Sequence, residues 1–175
     1  GGGGNDTIDG GAGNDTIQYT VGDGVDTIDG GADTDTLAVS GTAGSDTVDV
    51  VVNGSGVITS IEGMSPTNVE NYTLDGLGNT AAGDTLDYTG TASAVIVNLG
   101  TNSATGFTSV TGIENVTGGS AGDTLSGDAN VNALTGGSGN DTIDGGGGID
   151  TAVYTTTLAL GDIVAAGGWT VNGGA

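Results

Sequence analysis

The sequence predicts an all-β solenoid of short stacked strands joined by glycine-rich turns. Three observations carry that prediction. The phrase Asp-Thr followed by an apolar residue recurs at nearly constant spacing. The apolar residue stands alone between polar neighbours. Finally, 39 of the 175 residues are Gly, and they crowd the intervening segments.

The phrase occurs at Asp6-Thr7-Ile8, Asp15-Thr16-Ile17, Asp26-Thr27-Ile28, Asp35-Thr36-Leu37 and Asp46-Thr47-Val48. It returns at Asp84-Thr85-Leu86, Asp123-Thr124-Leu125, Asp141-Thr142-Ile143 and Asp150-Thr151-Ala152. The first five copies are 9, 11, 9 and 11 residues apart, so every second copy follows after 20. Leu125, Leu134, Ile143 and Ala152 are 9 apart, so every second one follows after 18. Such spacing describes a coil of two short strands and two turns, with extra residues on one turn of the early coils, Tyr19-Thr20 being an example. Each unit reads as three strand residues and six turn residues. In Thr7-Ile8-Asp9, alternation sends Ile8 inward and its neighbours outward. One unit cannot bury its single apolar side chain, whereas a stack builds a ladder of Ile, Leu and Val.

Residues 1–49 form a first repeat tract and 118–153 a second. Between them, 50–117 is less regular. Ser60-Ile61-Glu62-Gly63-Met64, Val69-Glu70-Asn71-Tyr72-Thr73 and Ile113-Glu114-Asn115-Val116-Thr117 are related phrases, and the last two each lead into Gly-Asp-Thr-Leu. Residues 94–99 read as a strand. Longer, wider coils of the same solenoid with looped-out insertions are expected here; the alternative is a separately folded insert. Residues 154–175 lose the Asp motif. Their Leu158-Ala159-Leu160 and Trp169-Thr170-Val171 suit a segment that caps the open end or reaches to a following repeat.

Composition narrows the function. Lys, Arg, His and Cys are absent, against 22 acidic residues and a formal charge of −22. No carboxylate can meet a cationic side chain, so an external cation neutralises them or self-repulsion keeps the chain expanded. Phosphate neutralisation needs Lys or Arg, which excludes nucleic acid as a partner. Without His or Cys there is no Ser-His-Asp triad, zinc site or disulfide. No apolar run approaches the roughly 18 residues of a membrane span, so membrane insertion is not expected, and no charged leader marks a signal peptide. Gly1 in place of Met makes the chain read as a processed piece or one segment of something longer.

The turns spell Gly-Gly-x-Gly-x-Asp, intact at 1–6, 10–15, 136–141 and 145–150. Degenerate copies are 21–26 with Val21 first, 30–35 with Asp33 for the third Gly, 118–123 with Ala121 there, and 127–132 with Asp128 second and Asn132 sixth. This pattern resembles the repeats-in-toxin (RTX) calcium-binding nonapeptide, clearly over 1–49 and 118–153. The resemblance implies a parallel β-roll or β-helix with several Ca²⁺ ions held between turns. In that family the sixth-position Asp supplies a carboxylate, the turn Gly residues supply carbonyls, and each ion is shared by motifs two apart. The candidate ligands it implies in the first tract are Gly2, Gly4 and Asp6; Gly11, Gly13 and Asp15; Gly22, Gly24 and Asp26; and Gly31, Asp33 and Asp35. Asp46, Asp84, Asp123 and Asn132 follow, then Gly137, Gly139 and Asp141, and Gly146, Gly148 and Asp150. The implied pairs are Asp6 with Asp26, Asp15 with Asp35, Asp26 with Asp46, Asp123 with Asp141, and Asn132 with Asp150, the last one charge poorer. The chemistry agrees independently: Ca²⁺ takes six to eight oxygens at about 2.3–2.6 Å, and carboxylates and carbonyls are what these turns offer. Without an ion, two carboxylates stacked about 4 Å apart repel by about 4 kcal/mol at an effective dielectric of roughly 20.

Other residues read as structure. Asp9, Asp29, Asp49, Asp87 and Asp144 follow the apolar position and are expected to face water. Asn-x-Ser/Thr occurs at Asn5, Asn14, Asn71, Asn115 and Asn140; three of these lie inside the turn motif, so coincidence explains them better than glycosylation. Tyr19, Tyr72, Tyr88, Tyr154 and Trp169 are too scattered for a sugar platform and fit strand or cap packing. A glycosidase needs one unlike carboxylate pair in a cleft, whereas these pairs recur identically, so no catalysis is expected in this segment.

The expected function is that of an extracellular structural module, a calcium-stiffened rod of a bacterial adhesin, surface layer or matrix fibre. Extracellular calcium at millimolar levels fills modest-affinity sites that cytosolic calcium does not, so folding waits for export. The resemblance implies type I secretion from a Gram-negative bacterium. Open solenoid ends predict head-to-tail self-association into a fibre, or the same joint between covalent tandem repeats. The alternative is the calcium-binding tail of a secreted protease, lipase or epimerase. An ice-binding face made of Thr7, Thr16, Thr27 and Thr36 is disfavoured, because Asp rather than a second Thr follows the apolar position.

Overall fold

The computed structural model describes residues 1–77 and 83–154, together with the backbone of 169–171. Among these residues it is all-β apart from a single 3-10 turn at Leu99–Thr101. The strands of the first half are β1 Thr7–Asp9, β2 Thr16–Thr20, β3 Thr27–Asp29, β4 Thr36–Ser40, β5 Thr47–Val52, β6 Ile58–Ile61 and β7 Asn71–Asp75. There follow β8 Thr85–Asp87, β9 Ile96–Asn98, β10 Ser103–Ala104, β11 Ser109–Thr111 and β12 Asn115–Thr117. The last are β13 Thr124–Ser126, β14 Ala133–Thr135, β15 Thr142–Asp144, β16 Asp150–Val153 and β17 Trp169–Val171.

They stack into four ladders: β1-β3, β2-β4-β7-β11, β6-β5-β8-β12-β14-β16-β17 and β10-β9-β13-β15. Pairing is parallel throughout except in two hairpins, β5 with β6 and β9 with β10. This is the parallel β-roll architecture. The registers match the two periods of the sequence: Thr7 pairs with Thr27 and Thr16 with Thr36, 20 residues on, while Thr124 pairs with Thr142 and Ala133 with Thr151, 18 on. In the irregular stretch Thr36 pairs with Asn71, Thr47 with Thr85, Thr85 with Asn115 and Ile96 with Thr124, offsets of 35, 38, 30 and 28. Strands of residues 50–117 thus enter the same ladders as those of the repeats, and the surplus residues form hairpins and connections.

The extra pair of the early coils is not where the spacing places it. Tyr19-Thr20 lengthens β2 to five residues instead of enlarging a turn, and the turns on either side keep six. A longer strand buries a second alternate side chain: Tyr19 lies inside with Ile17, as Val39 does with Leu37 and Leu74 with Tyr72. Its hydroxyl donates to the Gly24 carbonyl at 2.9 Å.

One column of the core takes a single apolar residue from each of β5, β8, β12, β14 and β16 in the longest ladder. Val48, Leu86, Val116, Leu134 and Ala152 stand in register one above the next, each nearly without solvent contact. Burying each leucine contributes about 1.5–3 kcal/mol. Ile8 and Ile143, on strands at the two ends of the stack, are only partly buried. Of the predicted cap, Leu158-Ala159-Leu160 lies outside the described residues; Trp169–Val171 pairs parallel to β16, Asp150 opposite Trp169.

Candidate metal centres

Stacking the coils stacks the turns, and the sixth-position residues form their own ladders. The backbone N–H of one donates to the side-chain Oδ1 of the residue one coil on. Asp6 donates so to Asp26 at 2.9 Å, Asp15 to Asp35 at 2.8 Å, Asp46 to Asp84 at 2.8 Å, Asp123 to Asp141 at 2.9 Å and Asn132 to Asp150 at 2.9 Å. Four of the five pairs implied by the resemblance stack in this way. Asp26 with Asp46 does not. Asp46 leads instead into the ladder of Asp84, and the strand beyond β3 is met at Thr67, which bridges Asp29. The cause is the β5–β6 hairpin, which buries Val50, Val52, Ile58 and Ile61 where a further repeat coil would have continued.

Interior members of these ladders are buried: Asp26 is 5% exposed, Asp35 and Asp84 0%, Asp123 2%, Asn132 1% and Asp150 1%. Burial, more than the neighbouring charge of Asp46, raises the Asp84 carboxyl above its ordinary range. Burial likewise raises Asp123, with Asp141 adding to it against hydrogen bonds from Val95 and Gly119 that lower it. The Oδ2 atoms of Asp15, Asp35 and Asp84 are buried without a hydrogen-bond partner. Buried polar atoms nearly always have partners, so three orphan carboxylate oxygens mark places where an oxygen-binding cation fits. Among the described residues no three acidic side chains converge on one point. An ion held here would draw on at most two carboxylates of the described residues, leaving backbone carbonyls and water as the other donors.

Backbone conformation divides the turns into two kinds. In the 1–6, 10–15, 21–26, 136–141 and 145–150 turns, the second and fourth residues have positive φ, and all are Gly. The 30–35 turn has the same shape, with Gly31 at φ +100 and Asp33, a non-glycine, at φ +81. Gly31 is doubly required: a Cβ there would lie 2.0 Å from the Gly11 carbonyl oxygen of the coil below. Every turn residue implied as a carbonyl donor belongs to this group. The turns at 41–46, 118–123 and 127–132 lack positive φ at both positions. There the second-position N–H donates to the turn's own sixth side chain: Thr42 to Asp46 Oδ2 at 2.5 Å, Gly119 to Asp123 Oδ2 at 2.7 Å and Asp128 to Asn132 Oδ1 at 2.8 Å. Backbone donors fill the oxygen that stays unpaired in Asp15 and Asp35.

Of the strand-following residues, Asp9, Asp49 and Asp144 are exposed, while Asp29 and Asp87 are half-buried. Asn5 and Asn14 have a ladder of their own, each side-chain oxygen accepting a backbone N–H one coil on, from Val25 and Thr34. That role explains Asn at the fifth motif position. Tyr19, Tyr72 and Tyr88 are core residues.

Sequence reading passed over Glu70 and Glu114. Glu70 Oε2 accepts the Asp35 N–H and Glu114 Oε2 the Asp84 N–H, both at 2.8 Å, the seats held elsewhere by motif Asp. Their signal is the shared Glu-Asn preceding β7 and β12, which replaces the Asp-Thr of the repeats.

Residues 1–18, 20–37 and 117–152 match the family of the RTX calcium-binding nonapeptide repeat (four copies). The matched residues are those whose turns carry the paired positive φ, together with the self-closed 118–123 and 127–132 turns. No curated protein matches the chain.

Proposed function

We propose that this chain, whose repeat tracts match the RTX calcium-binding repeat, is an extracellular calcium-stiffened structural module, a rod that folds when calcium fills its turns. Such repeats bind calcium and are typical of secreted proteins. The observation that carries the reading is the burial of Asp26, Asp35, Asp84, Asp123 and Asp150 in a chain without one cationic side chain. A buried carboxylate without a counter-charge costs several kcal/mol, and at neutral pH an external cation offsets that along a whole ladder. Calcium suits oxygen donors that are part carboxylate and part carbonyl. Export by a type I system is what the family resemblance implies, and service in an adhesin, surface layer or fibre is the role that a rod folding in millimolar calcium suits.

Circular dichroism of the intact chain in chelator and in millimolar calcium tests it. The expected result is a largely unfolded chain that gains cooperative β structure on adding calcium. A β fold that persists unchanged in excess chelator overturns the reading.

A further inference from the structure

Asn68 and Glu70 lie outside the residues matched to the repeat family, yet they build the turn that stands on Asp35. The Asp35 carbonyl accepts the N–H groups of Glu70 and Asn71, and the Gly30 N–H donates to the Thr67 carbonyl. Asn68, Val69 and Glu70 therefore span what six residues span in a repeat. Asn68 holds φ +50, in the left-handed region, and its carbonyl takes the position that a motif glycine takes elsewhere. A Cβ on Gly30 would lie 2.0 Å from Asn68 O and 2.8 Å from Asp35 Oδ2, just as one on Gly10 would lie 2.4 Å from Gly30 O and 3.0 Å from Asp15 Oδ2. The longer Glu side chain makes up for the missing turn residues and reaches the Asp35 N–H. The device recurs at Gly112 (φ +65), Ile113 and Glu114, standing on Asp84.

One oxygen is left over. Asp35 is 0% exposed, and its Oδ2 is buried with no hydrogen-bond partner beside the space that the Asn68 carbonyl borders. We propose that this space is a divalent-cation site formed by Asp35 Oδ2, the Asn68 carbonyl and the Glu70 carboxylate, extending the row of repeat ions by one position. Glu70 is exposed on its outer side, where water completes the shell. The donors are all oxygens of mixed charge, carboxylate and carbonyl, which favours calcium over softer metals. The inference rests on the reading of the repeat turns as calcium sites.

Calcium titration calorimetry and native mass spectrometry of the intact chain test it, with Asp141→Asn as a reference inside an intact repeat. Glu70→Gln keeps an acceptor for the Asp35 N–H, so the coil still closes; it is expected to bind one ion fewer. Glu70→Asp keeps the charge but withdraws it by a methylene, and is expected to weaken one site at least tenfold. Should Glu70→Gln fail to fold in saturating calcium, the Glu70→Asp titration decides alone. A wild-type ion count and affinity in the folded variants, while Asp141→Asn loses an ion, overturns this site and leaves the repeat sites standing. A wild-type chain that takes up no calcium overturns both.

Discussion

The backbone N–H of Gly119 donates to Asp123 Oδ2 at 2.7 Å, closing within one turn an oxygen that in Asp35 stays buried and unpaired. The two aspartates occupy the same motif position, and each donates its own N–H to the carboxylate one coil on. They differ in the turn behind them: Gly31 and Asp33 have positive φ, whereas Gly119 and Ala121 do not.

Calcium dependence is therefore expected to differ between the two kinds of turn. Asp15→Ala and Asp141→Ala should raise the calcium midpoint of folding, and Asp9→Ala should leave it in place and alter stability by no more than about 0.5 kcal/mol. Asp123→Asn should change thermal stability more than the calcium midpoint, because an internal N–H already satisfies Oδ2. Calcium titrations followed by circular dichroism separate these outcomes; a midpoint shift in Asp123→Asn equal to that in Asp15→Ala contradicts the division.

Backbone strain gives a second comparison. Asp33 sits at φ +81, a conformation that costs a side-chain-bearing residue about 1–2 kcal/mol. Asp33→Gly is expected to stabilise the calcium-loaded protein by about 1 kcal/mol. Gly31→Ala, which combines φ +100 with a Cβ 2.0 Å from Gly11 O, should cost at least about 3 kcal/mol, and Gly2→Ala, with open space around it, markedly less. Melting temperatures in saturating calcium read out all three.

Acid should partly replace calcium. Burial is the main cause that raises Asp84, Asp123 and Glu114 above their ordinary values of 3.8, 3.8 and 4.5. A raised carboxyl pKa means that the folded chain binds protons more tightly than the unfolded one. Stability from these groups is then fully present below the unfolded values and lost as pH rises through the folded ones. In chelator, β structure is expected to increase as pH falls from neutrality toward that range. A chelated chain that loses β signal steadily over the same interval refutes the assignment.

Assembly follows from the ends of the stack. Asp6 and Asp15 open their ladders nine residues apart, and Asp141 and Asp150 stand nine apart near the other end. The β15 edge ends its sheet, while β16 is covered by β17 of the same chain. Pairing of β15 with β1 of a following copy would be heterologous and would not close, so filaments are the expected product. Light scattering and electron microscopy should show calcium-dependent filaments. A strict monomer at high protein concentration and roughly 10 mM calcium, the upper reach of extracellular-module affinities, overturns this.

The sequence by itself determined the strand–turn period, the inward residue of each strand and the ladder partners wherever the period was kept. The reason is that Asp-Thr-Ile and its turn encode a local geometry repeated until only one stacking buries the apolar column. Asp6 with Asp26 and Asn132 with Asp150 are legible for that reason. Tertiary structure alone decided the rest. Tyr19-Thr20 lengthens a strand because a partner strand, β4, offers room for a second buried residue beside Val39. Asp46 meets Asp84 and not Asp26 because an apolar hairpin intervenes. Glu70 takes a motif seat because its longer side chain spans a shortened turn. Each of these depends on what the neighbouring coil presents, and the neighbouring coil lies 20 to 38 residues away along the chain.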